Sequence, residues 1–237
     1  MHKIFILCTL FLYSLLFSQK INFQSDVQVF YNLTFKPDST QIKTVNDIGV
    51  VYINTDKKES IYQASKKKKM DSLIQVMNIT KFPSRPMYTI NHVIHKDLSN
   101  FSLLYTEVVD NINFGYSEFI QKSKWQLENE KKNILDHTCF KANLKFHGRN
   151  YTAWYAQDLP ISDGPYKFFG LPGVILEIYD NNFNFHYQAV AINNKNIDIL
   201  YDNNFVKTER KVLRDSKINN IIKNSKTPIK FNPIELD

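Results

Sequence analysis

Gly170-Leu171-Pro172-Gly173-Val174-Ile175-Leu176-Glu177-Ile178 is the stretch that decides how this chain folds. Pro172 suits the second position of a tight turn, and Gly173 beside it can take backbone angles closed to other residues. Leu171, ahead of the proline, is pushed toward extended geometry. From Val174 to Tyr179 the residues are apolar and mostly branched or aromatic, broken by Glu177. A run of that kind suits a strand covered on both faces. An ionised Glu177 there needs a partner, because an unpaired buried charge costs roughly several kcal/mol. Arg149 or Lys167 is the expected cation. Two readings of Glu177 stand: a rim or structural ion pair, and a polar contact in a ligand site.

Before this bend the chain alternates. Val27, Val29, Tyr31, Leu33 and Phe35 point one way, with Gln28, Asn32, Thr34 and Lys36 opposed, the pattern of a half-buried strand. Further strands are expected at 48–53, 60–63, 88–95 and 103–109. Met70, Leu73, Ile74 and Met77 carry the spacing of an amphipathic helix, preceded by a lysine loop, Lys66 to Lys69. His92 and His95 fall on opposite faces of a strand, which argues against a shared metal. Trp125 and Leu127 begin the densest strand signal, followed by a charged link at 130–133. Phe140, Ala142, Leu144 and Phe146 then alternate with lysines and Asn143, and Gly148-Arg149 is expected as a two-residue hairpin turn with Phe146 facing Tyr151. Trp154, a large aromatic on an otherwise polar face, implies that this face is covered too, by a helix or by a ligand. After the bend, Asp180-Asn181-Asn182 turns the chain into a return strand from Phe183 to Ala189. Residues 206–222 carry an imperfect basic amphipathic stripe.

Composition narrows the class. The 237 residues hold 18 Phe, 13 Tyr and only 6 Gly, a globular, β-leaning balance. Ile4 to Phe17 is an apolar run behind His2 and Lys3, too short to span a bilayer and suited to a signal peptide ending at residue 18. The expectation is an exported chain, with residues 19–237 as one β-rich domain, no transmembrane anchor, no nucleic-acid partner despite the net charge of +7, and no cofactor. Past the leader, Cys139 is the lone cysteine. His137 lies two residues before it, on the same strand face. Two ligands make a weak metal site. A Cys139 thiol working with His137 is the alternative, hydrolase reading. No Gly-x-Ser-x-Gly elbow, His-Glu-x-x-His pair or phosphate-cradling glycine loop occurs.

The segment from Gly170 to Ile175 resembles the signature of the GLPGLI family of exported Bacteroidetes proteins, with Val174 in place of the second leucine. The likeness extends to Gly148-Arg149, Ala153-Trp154-Tyr155, Leu159-Pro160-Ile161, Gly164-Pro165-Tyr166-Lys167-Phe168 and Asn232 to Leu236; it departs at Asp136-His137. It implies a periplasmic or outer-membrane-associated protein with a TonB-dependent outer-membrane transporter as partner. The strand pattern is also similar to LolA-like half-barrels. The expected fold is therefore α+β and β-dominated, a curved antiparallel sheet with two or more short helices. The expected function is a non-catalytic binding module for a lipid, peptide or partner protein. Arg149, Trp154, Tyr155, Tyr166, Lys167 and Glu177 are its candidate ligand-binding residues.

Overall fold

The computed structural model describes residues 20–65, 90–120, 124–225 and 228–237. The leader, the lysine run and the helix expected at 70–77 lie outside them. Twelve strands form one sheet, in the order β14-β7-β6-β5-β4-β3-β2-β12-β11-β10-β9-β8. These are β2 (Val27–Phe35), β3 (Val45–Asn54), β4 (Glu59–Ala64), β5 (His92–Asp97), β6 (Ser102–Val109), β7 (Ile112–Phe119), β8 (Gln126–Ile134), β9 (His137–Phe146), β10 (Arg149–Ala156), β11 (Val174–Asp180), β12 (Phe185–Asn193) and β14 (Val206–Lys207). Neighbours are antiparallel except β14 beside β7. In the middle of the sheet β12 pairs with β2, where Tyr187 lies opposite Leu33. A separate ribbon, β1 (Lys20–Ser25) with β13 (Ile197–Asp202), lays Phe23 and Ile199 over Val50, Tyr52 and Ile61.

The β-dominated α+β class is observed, with one helix, α1 (Arg210–Asn224), among the described residues. Its apolar stripe is weak, and only Leu213 is buried. Ion pairs hold it instead: Lys217 meets Glu107 of β6 at 2.6 Å, and Arg210 meets Glu235 at 3.0 Å.

The main core lies on one face of the sheet, filled by the segment 157–173 that ends in the Leu-Pro bend. Lys96 of β5 pairs with Asp163 and donates to the Gly164 carbonyl at 2.7 Å. Lys167 reaches Tyr116 and Glu118 of β7 at 2.9 and 2.8 Å. Phe168 packs on Phe146 of β9 and Tyr151 of β10, at ring distances of 5.4 and 4.7 Å. Tyr31 of β2 donates to the Ile175 carbonyl at 2.7 Å. One segment thus touches strands from both ends of the sheet, so the sheet bends around it. Gly173 is required by space: a Cβ there would run into the Ala156 carbonyl oxygen.

The expected β11 is present, and Val174, Ile175, Leu176 and Ile178 are all buried. Two expectations shift. The residues at 130–133 continue β8 rather than leaving it; β8 is an edge strand, where charged side chains on both faces are tolerated. The β9–β10 turn is His147-Gly148, with φ of +43° and +79°, the sign pattern of a type I′ hairpin. Tyr151 therefore faces Leu144, not Phe146. The slip is two residues, so every side chain keeps its face. His92 and His95 fall on opposite faces as expected: His92 stacks on Tyr105 at 5.3 Å, and His95 sits against Phe23 at 6.0 Å.

Candidate functional site

β8 begins its pairing with β9 at Gln126 opposite Asn143, so residues 144–146 of β9 extend past it. Across from that overhang stands the end of β7. Between them lies an open cleft of about 920 Å³. One wall carries Glu118, Phe119 and Ile120; the other carries residues of β9 and β10, with Asn181 from the β11–β12 turn. Gln126, Asn143, Asn150, Thr152 and Asn181 give this wall a row of amides and a hydroxyl. The row is oriented by its own bonds: Thr152 Oγ1 donates to Asn143 Oδ1 at 2.9 Å, and Asn143 Nδ2 donates to Glu128. Phe119, 82% exposed, offers a bare aromatic face at the rim.

The β7 wall is held by a closed circuit of alternating charges. His147 Nε2 lies 3.4 Å from Glu118, Glu118 2.8 Å from Lys167, and Lys167 2.7 Å from Glu235. Glu235 is 3.0 Å from Arg210, Arg210 3.0 Å from Asp237, and Asp237 2.6 Å from His147 Nδ1. Burial alone would raise Glu118, but the His147 hydrogen bond and the Lys167 charge bring it down to about 2. Burial raises Glu235 too, and Lys167 and His147 outweigh it to leave its carboxyl lowered. His147 is pulled down by burial and raised further by Glu118 and Glu235, so its net shift is upward. Both ring nitrogens face carboxylates, which favours the imidazolium, while the Arg210 guanidinium 3.0 Å from Nδ1 opposes it. Lys167 is buried among the rings of Tyr105, Tyr116 and Tyr166, 5.4, 5.1 and 5.7 Å from their centroids.

None of the six residues singled out from the sequence lines the cleft. Arg149 is buried, donating to Asp180 at 3.3 Å and to Asn232 and the Pro233 carbonyl at 2.6 Å each. Tyr166 donates to Glu235 at 2.7 Å. Lys167 sits in the circuit above, and Tyr155 is buried 6.1 Å from the Phe140 ring. Trp154 shares the face of β10 that carries Asn150 and Thr152 but is not part of the cleft lining; Lys132 Nζ lies 4.3 Å over its ring. Glu177 faces Trp154 across the β10–β11 ladder and pairs with Lys132 and with His186 Nε2, the latter at 2.7 Å. Its expected partners were Arg149 or Lys167. Strand parity corrects this: Arg149 shares a face with Tyr151, and Lys167 fills the core side. The carboxyl of Glu177 is lowered, since its bonds from His186 and Lys132 outweigh its burial.

The cleft residues that the sequence reading did not single out gave little signal. Lys141, Asn143 and Lys145 alternate along β9 as any solvated strand face would. That Phe119 and Thr152 line one cleft is visible only in three dimensions. The thiol reading of Cys139 is corrected too. Its side chain is buried, burial and then Asp158 push the thiol up to about 11, and His137 is held by Asp158 at 2.7 Å. No group of three or more metal-ligating side chains occurs among the described residues. No helix among them is long and apolar enough to cross a membrane.

Fold and site together define a β-dominated domain with a large polar cleft between sheet ends. Residues 35–215 match the family model described as N-glycanase peptide, N-terminal domain, and the chain belongs to that family. Structures of PNGF-II in space groups P21 and C2 share the fold, each at TM-score 0.54, with 18% and 17% identity. The alignment covers 80% of this chain and 32% of the PNGF-II chain, so the chain spans about a third of those relatives. None of the curated proteins matches it. The family match overturns the GLPGLI resemblance, and with it the reading of a GLPGLI binding module for a lipid, peptide or partner protein. The transporter partnership rested on that resemblance and loses its basis.

Proposed function

We propose that this chain is a glycan-contacting domain of the N-glycanase kind, taking part in the processing of N-linked glycans. The observation that carries this is the 920 Å³ cleft, which sets an exposed Phe119 against an oriented row of amides and a hydroxyl. Sugars need that combination. Their hydroxyls are met by groups that both donate and accept, and Asn, Gln and Thr supply these. Their C–H faces pack on flat aromatic rings, which bury large area at little entropic cost. A pocket of this size takes several sugar units. The curvature of the sheet into a half-barrel belongs to this reading: His147 reaching Glu118 brings the two walls within range of one ligand. Export belongs to it as well, supported by the apolar run from Ile4 to Phe17.

Calorimetric titration with a free N-glycan tests the proposal. The expected result is saturable binding that weakens about tenfold in Phe119→Ala, the loss of a ~1.4 kcal/mol contact. Undiminished binding in Phe119→Ala, or none at millimolar glycan, would remove the proposal.

A further inference from the structure

We infer that the cleft selects acidic glycans, with an anionic group on the sugar seated against Lys124 and Lys145. The inference rests on the glycan reading of the cleft and concerns which glycan it takes.

The charges that line the cleft are not balanced. Its carboxylate, Glu118, already faces Lys167 at 2.8 Å and His147 at 3.4 Å. Of the lysines, Lys141 is taken by Glu128 at 3.0 Å and Glu130 at 2.8 Å. Lys124 and Lys145 line the same cleft, both exposed, and neither has an ion pair among the described residues. Lys145 stands opposite Asn150 in the hairpin, on the strand face that carries Asn143 and Thr152. An anion there would lie beside the groups that hold the sugar's hydroxyls. A ligand carboxylate, sulfate or phosphate would gain both lysines and meet no unpaired acid. A neutral sugar would gain neither.

Two exposed ion pairs of ordinary strength give a preference of roughly twofold to thirtyfold at low salt. The preference should fade as ionic strength rises and the screening length falls below about 10 Å. The test titrates the full chain with a sialylated N-glycan, the same glycan after desialylation, and a sulfated neutral N-glycan. The expected result is tighter binding of an acidic glycan, lost in 0.5 M salt. The double variant Lys124→Gln/Lys145→Gln should lose that preference while binding the desialylated glycan as before. A preference confined to the sialylated or to the sulfated ligand identifies which anion the lysines serve, and supports the inference. Equal affinity for all three glycans, or an acid preference that survives the double substitution, overturns it while leaving the glycan reading intact. Failure of all three to bind overturns both.

Discussion

Lys96 and Asp163 form the most deeply buried ion pair in the circuitry beneath the bend, and neither side chain is exposed to solvent at all. The perturbation is Lys96→Met, which keeps the length of the side chain and removes its charge. Asp163 would keep its bond from the Gly164 N–H at 2.8 Å, but its other oxygen is buried with no hydrogen-bond partner even in the intact protein. Breaking one side of a buried pair costs about 3–5 kcal/mol, because the remaining charge stays desolvated. For a chain of this size that is a fall in melting temperature of about 6–20 °C. Urea unfolding at neutral pH measures it. Replacing both partners, Lys96→Met with Asp163→Leu, should recover most of the loss, since apolar replacements of a buried pair are often neutral. A Lys96→Met protein within about 1 kcal/mol of the parent would refute the reasoning.

His147 gives a pH signature. Its folded pKa lies above the ordinary histidine value of 6.5, so its contribution is full below about pH 6 and fades as pH rises through the folded value. His147→Gln should therefore lower the urea midpoint at pH 5.5 and barely change it at pH 9; an equal drop at both would count against the charge circuit. Glu118 and Glu235 run the other way: both are depressed, so what they contribute is present above the ordinary glutamate value of 4.5 and is lost as acid titrates them. Gly173→Ala should cost more than about 2 kcal/mol, because the new methyl meets the Ala156 backbone rather than a side chain that could yield; a soluble variant with a parental melting curve would disprove the close approach. Cys139 should resist a thiol reagent in the native protein and react once unfolded; fast native labelling would contradict its burial.

Much of the sheet was legible because one face meets a core and alternation follows. The Val27–Phe35 strand and the two strands flanking the bend were readable for that reason. β8 was not read through because its residues are largely exposed on both sides, so no alternation distinguishes strand from link. The hairpin slipped because a histidine occupies a φ > 0 position that composition alone would assign to the glycine and its successor. The same gap hid the true partner of Glu177: Lys132 sits in the stretch read as a link, and only the β8–β9 ladder brings it alongside Cys139 and within reach. The need for a cation was legible and its identity was not. The cleft was least legible of all. Its walls come from β7 and from the β9–β10 hairpin, which lie far apart in the sheet order and are joined by a charge circuit that runs through α1 and the final residues. Amides and lysines on alternate strand positions look the same whether they face a ligand or bulk water.

Hydrogen exchange of the intact chain, with and without an N-glycopeptide, addresses the central claim most directly. Slowed exchange at 118–120 and 143–152, the two walls of the cleft, is the result expected. Protection confined to the β1–β13 ribbon, or none while the glycopeptide is bound, would place the ligand elsewhere and contradict the account.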